Sequence, residues 1–392
     1  MIVDVDTHWE ITGHNASDDP MLAWADQIPD NRTHLANAIA GDLLQVLPAE
    51  RLPSPAELLP KLFDRAERSG GPVVLHPRHD STAAERVAWM DGVGIDHCLV
   101  NPGGYWQKLD YLRAEDRPVA ARRCNDFLTE QLADQSGRLH AVATIDFSDL
   151  DAAVEDLQRC RSRGARAFFL YTRRGVPAGG PPGHPRWDRI WAAAIDLGMV
   201  VVIHVGNTEA DFTEWADIGW DQPDGAGVGG LIRLANTQRL HAAQNLIASM
   251  LFGGVFHRFP DLTVLVEEMR AGWLPWYVTT LSRQSQSSAS LGDWPWPTSG
   301  ADMLHRNLRL TPLPGFGDAD ALDVLAELPD MVVFSSDYPH QEGNADPIEL
   351  YRPGLDRLDD DLRAAFLGNT AADAFARMGD PLPAPRSADA PA

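Results

Sequence analysis

The chain has 392 residues, of which 33 are Lys or Arg and 56 are Asp or Glu, which gives a formal net charge of −23. A composition of 44% hydrophobic and 23% charged residues excludes a disordered chain or a fibre. The negative charge argues against a protein that binds nucleic acid or sits on anionic lipid. The apolar runs are too short to span a bilayer, and the first residues lack the basic region of a signal peptide.

Eight short segments rich in apolar or β-branched residues recur along the chain. Several are continuous apolar runs, which is typical of strands buried on both faces of a parallel sheet. The predicted strands are residues 2–8, 95–101, 139–145, 165–171, 199–205, 263–268, 307–311 and 331–337. Helical patterns lie between most of them, at residues 82–92, 118–136, 150–164, 185–198, 240–258, 318–328 and 359–378.

This alternation predicts an α/β protein, with residues 1–379 forming one (β/α)8 TIM barrel. A doubly wound open sheet is the alternative, but no glycine-rich GxGxxG turn follows the first strand. Two long insertions, at about residues 10–81 and 206–239, leave from the carboxyl ends of strands, where a barrel has its catalytic face. The Pro- and Ala-rich residues 380–392 are expected to be disordered.

Candidate ligands begin in the first strand, where Asp4, Asp6 and His8 alternate along one face. Charged groups are costly to bury unless they are compensated, and a divalent metal ion is one form of compensation. The alternative is that the first strand is exposed to solvent, so that its charges need no partner. His204 ends the very apolar fifth strand, a location that makes it a candidate ligand, and a satisfied core histidine is the alternative.

Polar residues at the ends of the sixth and eighth strands complete the candidate site. Asp337 ends the eighth strand, which barrel closure places beside the first, and His340 follows it on the mouth loop. Helix capping is the alternative for Asp337, and a loop hydrogen bond is the alternative for His340. Glu267 and Glu268 end the sixth strand, and we expect one to enter the mouth while the other meets solvent.

The predicted metal ligands are therefore Asp6, His8, His204, Asp337 and Glu268. Imidazole and carboxylate together suit zinc, iron or manganese, with one ion expected and two as the alternative. We predict that Asp337, Glu268 and His340 are catalytic.

Tryptophans and one arginine are the candidate substrate contacts. Three tryptophans fall in loops or helix starts on the catalytic face of the barrel, namely Trp215, Trp220 and Trp273. They indicate a large apolar pocket for a bulky or aromatic small molecule. Arg270 can hold an anionic group. Packing of the long loops and a solvated helix face are the respective alternatives.

Several of these segments resemble the amidohydrolase superfamily, in particular the branch of aminocarboxymuconate-semialdehyde and resorcylate decarboxylases. They are DVDTHWE, RVAWMDGVGIDHCLVNP, VVIHVGN, MLFGGVFHRFPDLTVLVEEMRAGWLP and VVFSSDYPHQEG, and they span residues 2 to about 345. The resemblance implies a metal-dependent barrel. His8 matches the second residue of the family's first-strand pair, His204 its fifth-strand histidine, and Asp337 its eighth-strand aspartate.

Two departures from the family pattern shape the functional hypothesis. Asp6 stands where His or Glu is common, and Glu268 stands where many members carry a histidine that, in decarboxylase-like members, touches substrate or proton. We therefore predict a hydrolase that uses metal-activated water on an amide, ester or thioester carbonyl. A non-oxidative decarboxylase of an aromatic or unsaturated acid is one alternative, and a metal-free binding barrel is another.

The remaining expectations concern location and assembly. Three cysteines without a CxxC pair favour a reducing cytoplasm. A homodimer is the default for a soluble enzyme, and a role in secondary metabolism fits a bulky substrate.

Overall fold

A computed structural model describes the barrel and part of its loops. Most of the predicted insertion at 10–81, much of 206–239, and the end of the predicted tail lie outside the described residues. The described residues are 1–9, 46–48, 51, 82–103, 109, 112–170, 177–205, 212–220, 229–286, 292–313, 319–340 and 346–384.

In the described part of the chain, seven parallel strands form one curved sheet in sequence order, each paired with the next. Every residue of these strands is buried, as expected where helices cover one face and the barrel interior the other. The strands are β1 (Val3–Trp9), β2 (His97–Pro102), β3 (Leu139–Ala143), β4 (Ala167–Phe169), β5 (Val200–His204), β6 (Val264–Glu267) and β7 (Leu308–Leu310).

Residues 331–338, here called the closing segment, occupy the eighth position between β7 and β1. Leu310 bridges to Val332 on one side, and Thr7 bridges to Tyr338 on the other, both in parallel orientation. The Asp337 amide also donates to the Asp6 carbonyl at 2.9 Å. The ring is thereby closed, and the predicted (β/α)8 architecture is confirmed.

Thirteen α-helices lie in the described part of the chain, mostly between successive strands. Thr82 caps the first by accepting a hydrogen bond from the Glu85 amide, and Gly94 ends it in the left-handed conformation (φ 81°). The helices are α1 (Ala83–Val93), α2 (Arg117–Leu132), α3 (Leu150–Ser162), α4 (Asp188–Leu197), α5 (Thr213–Asp217), α6 (Gly229–Gln238), α7 (Leu240–Phe252), α8 (Val255–Arg258), α9 (Leu274–Gln286), α10 (Gly300–Asn307), α11 (Pro347–Leu355), α12 (Asp360–Ala364) and α13 (Thr370–Arg377).

Some helices differ from the predicted ones. The pattern at 318–328 forms a 3-10 helix, Ala319–Ala326, and a π-helical turn, Ala365–Asn369, separates α12 from α13. Helices α5 and α6 lie inside the predicted loop 206–239. None of the helices in the described ranges is long and apolar enough to cross a membrane.

The amino ends of β2 and β3, at the base of the barrel, carry a buried histidine pair. His97 Nδ1 lies 3.2 Å from His140 Nε2, and His97 Nε2 lies 3.0 Å from the Pro383 carbonyl oxygen. Burial lowers the pKa of His140 well below its usual value, and the charge of Arg166 adds to the shift. This pair is a neutral structural contact that ties the barrel base to the residues after α13.

Candidate metal centre

Four side chains from three strands converge at the carboxyl ends of the sheet. His8 Nε2 lies 3.0 Å from Glu268 Oε1 and 3.2 Å from Asp6 Oδ1. His204 Nε2 lies 3.3 Å from Glu268 Oε1 and 3.6 Å from Asp6 Oδ1. Ligands about 2.1 Å from one ion stand about 3.0 Å apart in an octahedron and about 3.4 Å apart in a tetrahedron. The four donor atoms therefore have the spacing that one divalent ion requires, and this cluster can hold such an ion.

Asp337 and His340 extend this cluster toward the mouth. Asp337 Oδ1 lies 3.4 Å from His8 Nε2 and 2.8 Å from His340 Nδ1. The His340 ring stacks on the His8 ring with 3.7 Å between centroids, and its side chain is 23% exposed, whereas that of His8 is fully buried. His340 thus lies between the buried donors and solvent.

The orientation of His204 fits a role as a ligand. Its Nδ1 lies 2.7 Å from the Val205 carbonyl oxygen, which can only accept, so Nδ1 carries the hydrogen. Nε2 is then the ring atom that faces Glu268 and Asp6 and is available to a metal ion. A second hydrogen bond of this kind is the usual way in which proteins fix a metal-binding imidazole.

The electrostatics of the cluster show an excess of buried negative charge. Burial acts to lower the pKa of His8, but its hydrogen bonds to Asp337, Asp6 and Glu268 raise it to about 10. Burial and the charge of Glu268 raise the pKa of Asp337 to about 8. Groups that compete in this way for protons are stabilised by a dication, which would lower the pKa of each carboxyl.

Backbone strain concentrates at the same place. Among the described residues, the three non-glycine residues with positive φ are Glu268 (55°), Arg270 (61°) and Asp337 (54°). Each such conformation costs about 1–3 kcal/mol and persists only where the surroundings enforce it. Two of the three residues belong to the candidate centre, which is where strain is expected if geometry serves function.

The left-handed turn at Glu268 corrects one sequence prediction. We expected Glu267 or Glu268 to meet solvent, but both are buried, at 0% and 7% exposure. Strand alternation ends at Glu267, and the φ of 55° at Glu268 turns its side chain back toward the interior. The sixth strand therefore contributes two carboxylates rather than one.

Asn101 joins Glu267 to the cluster, and the sequence analysis did not identify Asn101 or this role of Glu267. Asn101 Nδ2 donates to Asp6 Oδ1 at 2.8 Å and to Glu267 Oε2 at 2.9 Å. Burial and the charge of Asp6 raise the pKa of Glu267 well above its usual value. The available signal was a polar residue at the carboxyl end of β2, the same signal that identified His204.

A buried arginine holds the backbone beside two candidate ligands. Arg86 of α1 donates through Nη2 to the His8 carbonyl at 2.6 Å. Its guanidinium carbon lies 4.6 Å from the ring centroid of Tyr338, the residue after Asp337, and 5.5 Å from that of Trp9. Arg86 therefore contacts the neighbours of ligands on both β1 and the closing segment.

The predicted substrate contacts lie in two separate places. Trp215 and Trp220 are 43% and 51% exposed, and with Ile218 and Gly219 they line a surface pocket of about 370 Å³. Their ring contacts are to Phe212 and to each other. No contact with the metal-ligand candidates is seen in the described residues, so their role in binding stays a prediction.

Trp273 and Arg270 follow β6 closely. The Trp273 indole donates to the Met269 carbonyl at 2.9 Å and packs edge-on against Tyr277. Arg270 is exposed. Both lie within five residues of Glu268, and their contact with a substrate also stays a prediction.

Comparisons with known proteins place this site in context. The sequence profile of the family described as Amidohydrolase matches residues 3–377. A gamma-resorcylate decarboxylase from Polaromonas sp. (strain JS666 / ATCC BAA-500) is 25% identical over 268 residues, which make up 65% of this chain and 76% of that protein.

Solved structures share the fold over nearly the whole chain. A 5-carboxyvanillate decarboxylase from Sphingomonas paucimobilis has a TM-score of 0.63 at 18% identity, with 96% of this chain and 98% of that chain covered. A dihydroxybenzoic acid decarboxylase from Polaromonas sp. JS666, solved with bound manganese and the inhibitor 2-nitroresorcinol, has a TM-score of 0.62 at 17% identity, with 96% of both chains covered.

The prediction of a hydrolase acting on an amide, ester or thioester is wrong, because the relatives found by sequence are decarboxylases. It rested on the loss of a sixth-strand histidine at Glu268. In the structure, His340 Nδ1 lies 3.4 Å from Glu268 Oε1. An imidazole that can carry a proton is therefore present at the site, although it comes from another part of the barrel.

Proposed function

Because the chain belongs to the amidohydrolase family, we propose that it is a metal-dependent decarboxylase of an aromatic or unsaturated acid. The supporting findings are the similarity to gamma-resorcylate decarboxylases and a donor cluster spaced for one ion. That cluster also counts against a metal-free binding barrel.

We propose that Asp6, His8, His204 and Glu268 hold the ion, with Asp337 as a further ligand. The bound manganese in the dihydroxybenzoic acid decarboxylase makes Mn²⁺ the first candidate, and two or three carboxylates beside two imidazoles suit it. When bound, the dication would attract the substrate carboxylate and offset its charge. One ion accounts for the spacing of Asp6, His8, His204 and Glu268, and a second ion remains the alternative.

The residues of this chain then supply the proton. Loss of carbon dioxide leaves the electron pair of the broken C–C bond on the substrate carbon, where a new C–H bond must form. The Asp337–His340 pair, with 2.8 Å between Oδ1 and Nδ1, can hold that proton beside the donor cluster. The partly exposed His340 ring can recover a proton from water afterwards. The Asp337–His340 pair is the observation that carries the proposal, because His340 can supply the proton in place of the missing sixth-strand histidine.

We further propose that the substrate is an aromatic acid that contacts Trp273 and Arg270, and that Trp215 and Trp220 also contribute to binding. An arginine can orient an anionic or phenolic group, and an indole can pack against a ring. A small-molecule partner fits the ligands named for the solved relatives.

The test uses the full chain loaded with Mn²⁺ and offered 2,6-dihydroxybenzoate and 5-carboxyvanillate. We expect carbon dioxide and the decarboxylated phenol in equal amounts. In deuterium oxide, the product should carry one deuterium at the carbon that lost the carboxyl group. A His340→Gln variant, which keeps the donor cluster, should bind Mn²⁺ but turn over at least about 100-fold more slowly. Failure of the Mn²⁺-loaded protein to release carbon dioxide from either acid would contradict the proposal.

We also propose a cytoplasmic homo-oligomer. All three cysteines, Cys98, Cys124 and Cys160, are buried and unpaired by disulfides, which suits a reducing compartment. Light scattering of the purified chain tests the oligomeric state.

A further inference from the structure

We propose that Asn101 and Glu267 are positioning residues that fix the metal-facing oxygen of Asp6. The inference rests on the proposed metal centre but not on the reaction carried out there. It makes the affinity for a divalent ion depend on β2, a strand that supplies no ligand of its own.

The first observation is the use of a single amide nitrogen by two carboxylates. Asn101 Nδ2 has two hydrogens, and the acceptors at 2.8 and 2.9 Å are Asp6 Oδ1 and Glu267 Oε2. With both hydrogens committed, the amide cannot rotate without losing a buried hydrogen bond. Its orientation is therefore determined from two sides of the barrel.

The second observation is which oxygen of Asp6 is held. Oδ1 is the oxygen that lies 3.2 Å from His8 Nε2 and 3.6 Å from His204 Nε2, so it is the donor atom of the cluster. The hydrogen bond from Asn101 to the same oxygen therefore restrains rotation of the Asp6 carboxyl group. A ligand that must be reoriented on binding gives a weaker site than one held in place.

The third observation explains why Glu267 is needed. All three side chains, Asp6, Asn101 and Glu267, are completely buried. Within the described part of the chain, the hydrogen bond to the Glu267 side chain comes from Asn101 alone. A buried carboxyl is costly, so a purely space-filling role would be better served by an apolar residue. Its position opposite His204 in the β5–β6 register lets it anchor the amide from across the interior.

Strand register supports the same conclusion. Asn101 pairs with His8 in the β1–β2 ladder. The amide therefore reaches from the neighbouring strand at the level of the ligands. The end of β6 contributes to the centre in two ways. Glu268 is a candidate ligand, and the preceding Glu267 accepts a hydrogen bond from the Asn101 amide that also donates to Asp6.

The experiment compares two buried asparagines. Asn125 also makes two buried hydrogen bonds, donating to the Thr144 carbonyl at 2.8 Å and accepting from the Thr144 amide at 2.7 Å. Among the described contacts, none joins it to a candidate ligand. Asn101→Leu and Asn125→Leu should both lower the melting temperature of the metal-free protein. Only Asn101→Leu should weaken Mn²⁺ binding, by about 10- to 100-fold, measured by competition with a fluorescent chelator. Asn125→Leu should stay within about threefold of wild type.

Two Glu267 variants complete the test. Gln offers an amide oxygen that still accepts from Asn101, so Glu267→Gln should keep Mn²⁺ affinity within about threefold of wild type, whereas Glu267→Leu should behave like Asn101→Leu. Equal Mn²⁺ affinity of Asn101→Leu and wild type would overturn this inference alone. A wild-type chain that binds no divalent ion would overturn both the inference and the metal centre. Because binding is the readout, a missing decarboxylase activity would count only against the proposed function.

Discussion

Histidines are buried at both ends of this barrel, and their surroundings differ completely. At the mouth, His8 Nε2 lies within 3.4 Å of three carboxylates, and those contacts raise its pKa to about 10. At the base, His97 and His140 face each other and the charges of nearby arginines, and burial lowers the pKa of both. The same residue type thus serves a charged cluster at one end and a neutral contact at the other.

The two ends of the barrel therefore differ in the buried groups that they can stabilise. Carboxylates and strained backbone gather at the carboxyl ends of the strands, where a dication can offset them. At the base, Asp380 is instead paired with Arg161 at 2.9 Å, an arrangement that serves stability. Three substitutions test this contrast between the mouth and the base.

Asp337→Asn should have the largest effect, because it removes the proton-holding carboxylate next to His340 while conserving shape. We expect turnover to fall by at least about 100-fold, with little change in the far-UV circular dichroism spectrum. Asp380→Asn, the matched change at the base, should leave turnover intact and lower only the melting temperature. A wild-type rate for Asp337→Asn would show that its assigned role is wrong.

Arg86→Lys should have an intermediate effect on the mouth. Lysine keeps the charge but loses the planar group that lies over Tyr338 and holds the His8 carbonyl. We expect about tenfold weaker Mn²⁺ binding, measured by chelator competition.

The control for Arg86 is Arg309, a second buried arginine in the described part of the chain, which donates to the carbonyls of His305 and Leu308. Arg309→Lys should lose a similar free energy of unfolding, about 1–3 kcal/mol, without changing Mn²⁺ affinity. If both variants bind Mn²⁺ as tightly as wild type does, Arg86 serves only the stability of the barrel.

His140→Leu should have the smallest effect, confined to the pH dependence of stability. The folded-state pKa of His140 lies well below 6.5, so above pH 6.5 the group is neutral in both states. As the pH falls below 6.5, His140 binds a proton in the unfolded chain but not in the folded chain, so the free energy of unfolding decreases. Removing the group should abolish about 1 kcal/mol of the loss between pH 7.5 and pH 5.5, measured by urea unfolding. An unchanged pH dependence would mean that His140 titrates normally in the fold.

Much of the fold could be predicted from the sequence because buried parallel strands are continuous apolar runs. All eight predicted segments occupy barrel positions, and their ends shift by only a few residues. Helix α6 was missed because its sequence, GGLIRLANTQ, follows a glycine-rich stretch that indicates a loop. Its apolar residues instead pack with Val46, Phe212 and Ala216 in a small separate cluster.

The site was predictable where a polar residue ends an apolar strand, as for His204 and Asp337. It was not predictable where a role depends on distance across the interior. The link from Asn101 to Asp6 and Glu267 joins residues 95 and 166 positions apart. Glu268 enters the centre through a left-handed turn that strand alternation does not foresee. The burial of Arg86 could not be predicted from the sequence, because a basic residue in a helix is usually exposed.

The closing segment also has a consequence for how the protein is made. The Ser336 amide donates to Asp4 across 332 positions of sequence. In the same region, the candidate ligand His8 on β1 contacts Asp337 of the closing segment. A ribosome must therefore release most of the chain before the two sides of the centre can meet. During that interval β1 and β7 are unpaired edges, exposed to other chains. The candidate centre, which includes Asp337, is accordingly completed only when the closing segment has docked between β7 and β1, late in maturation.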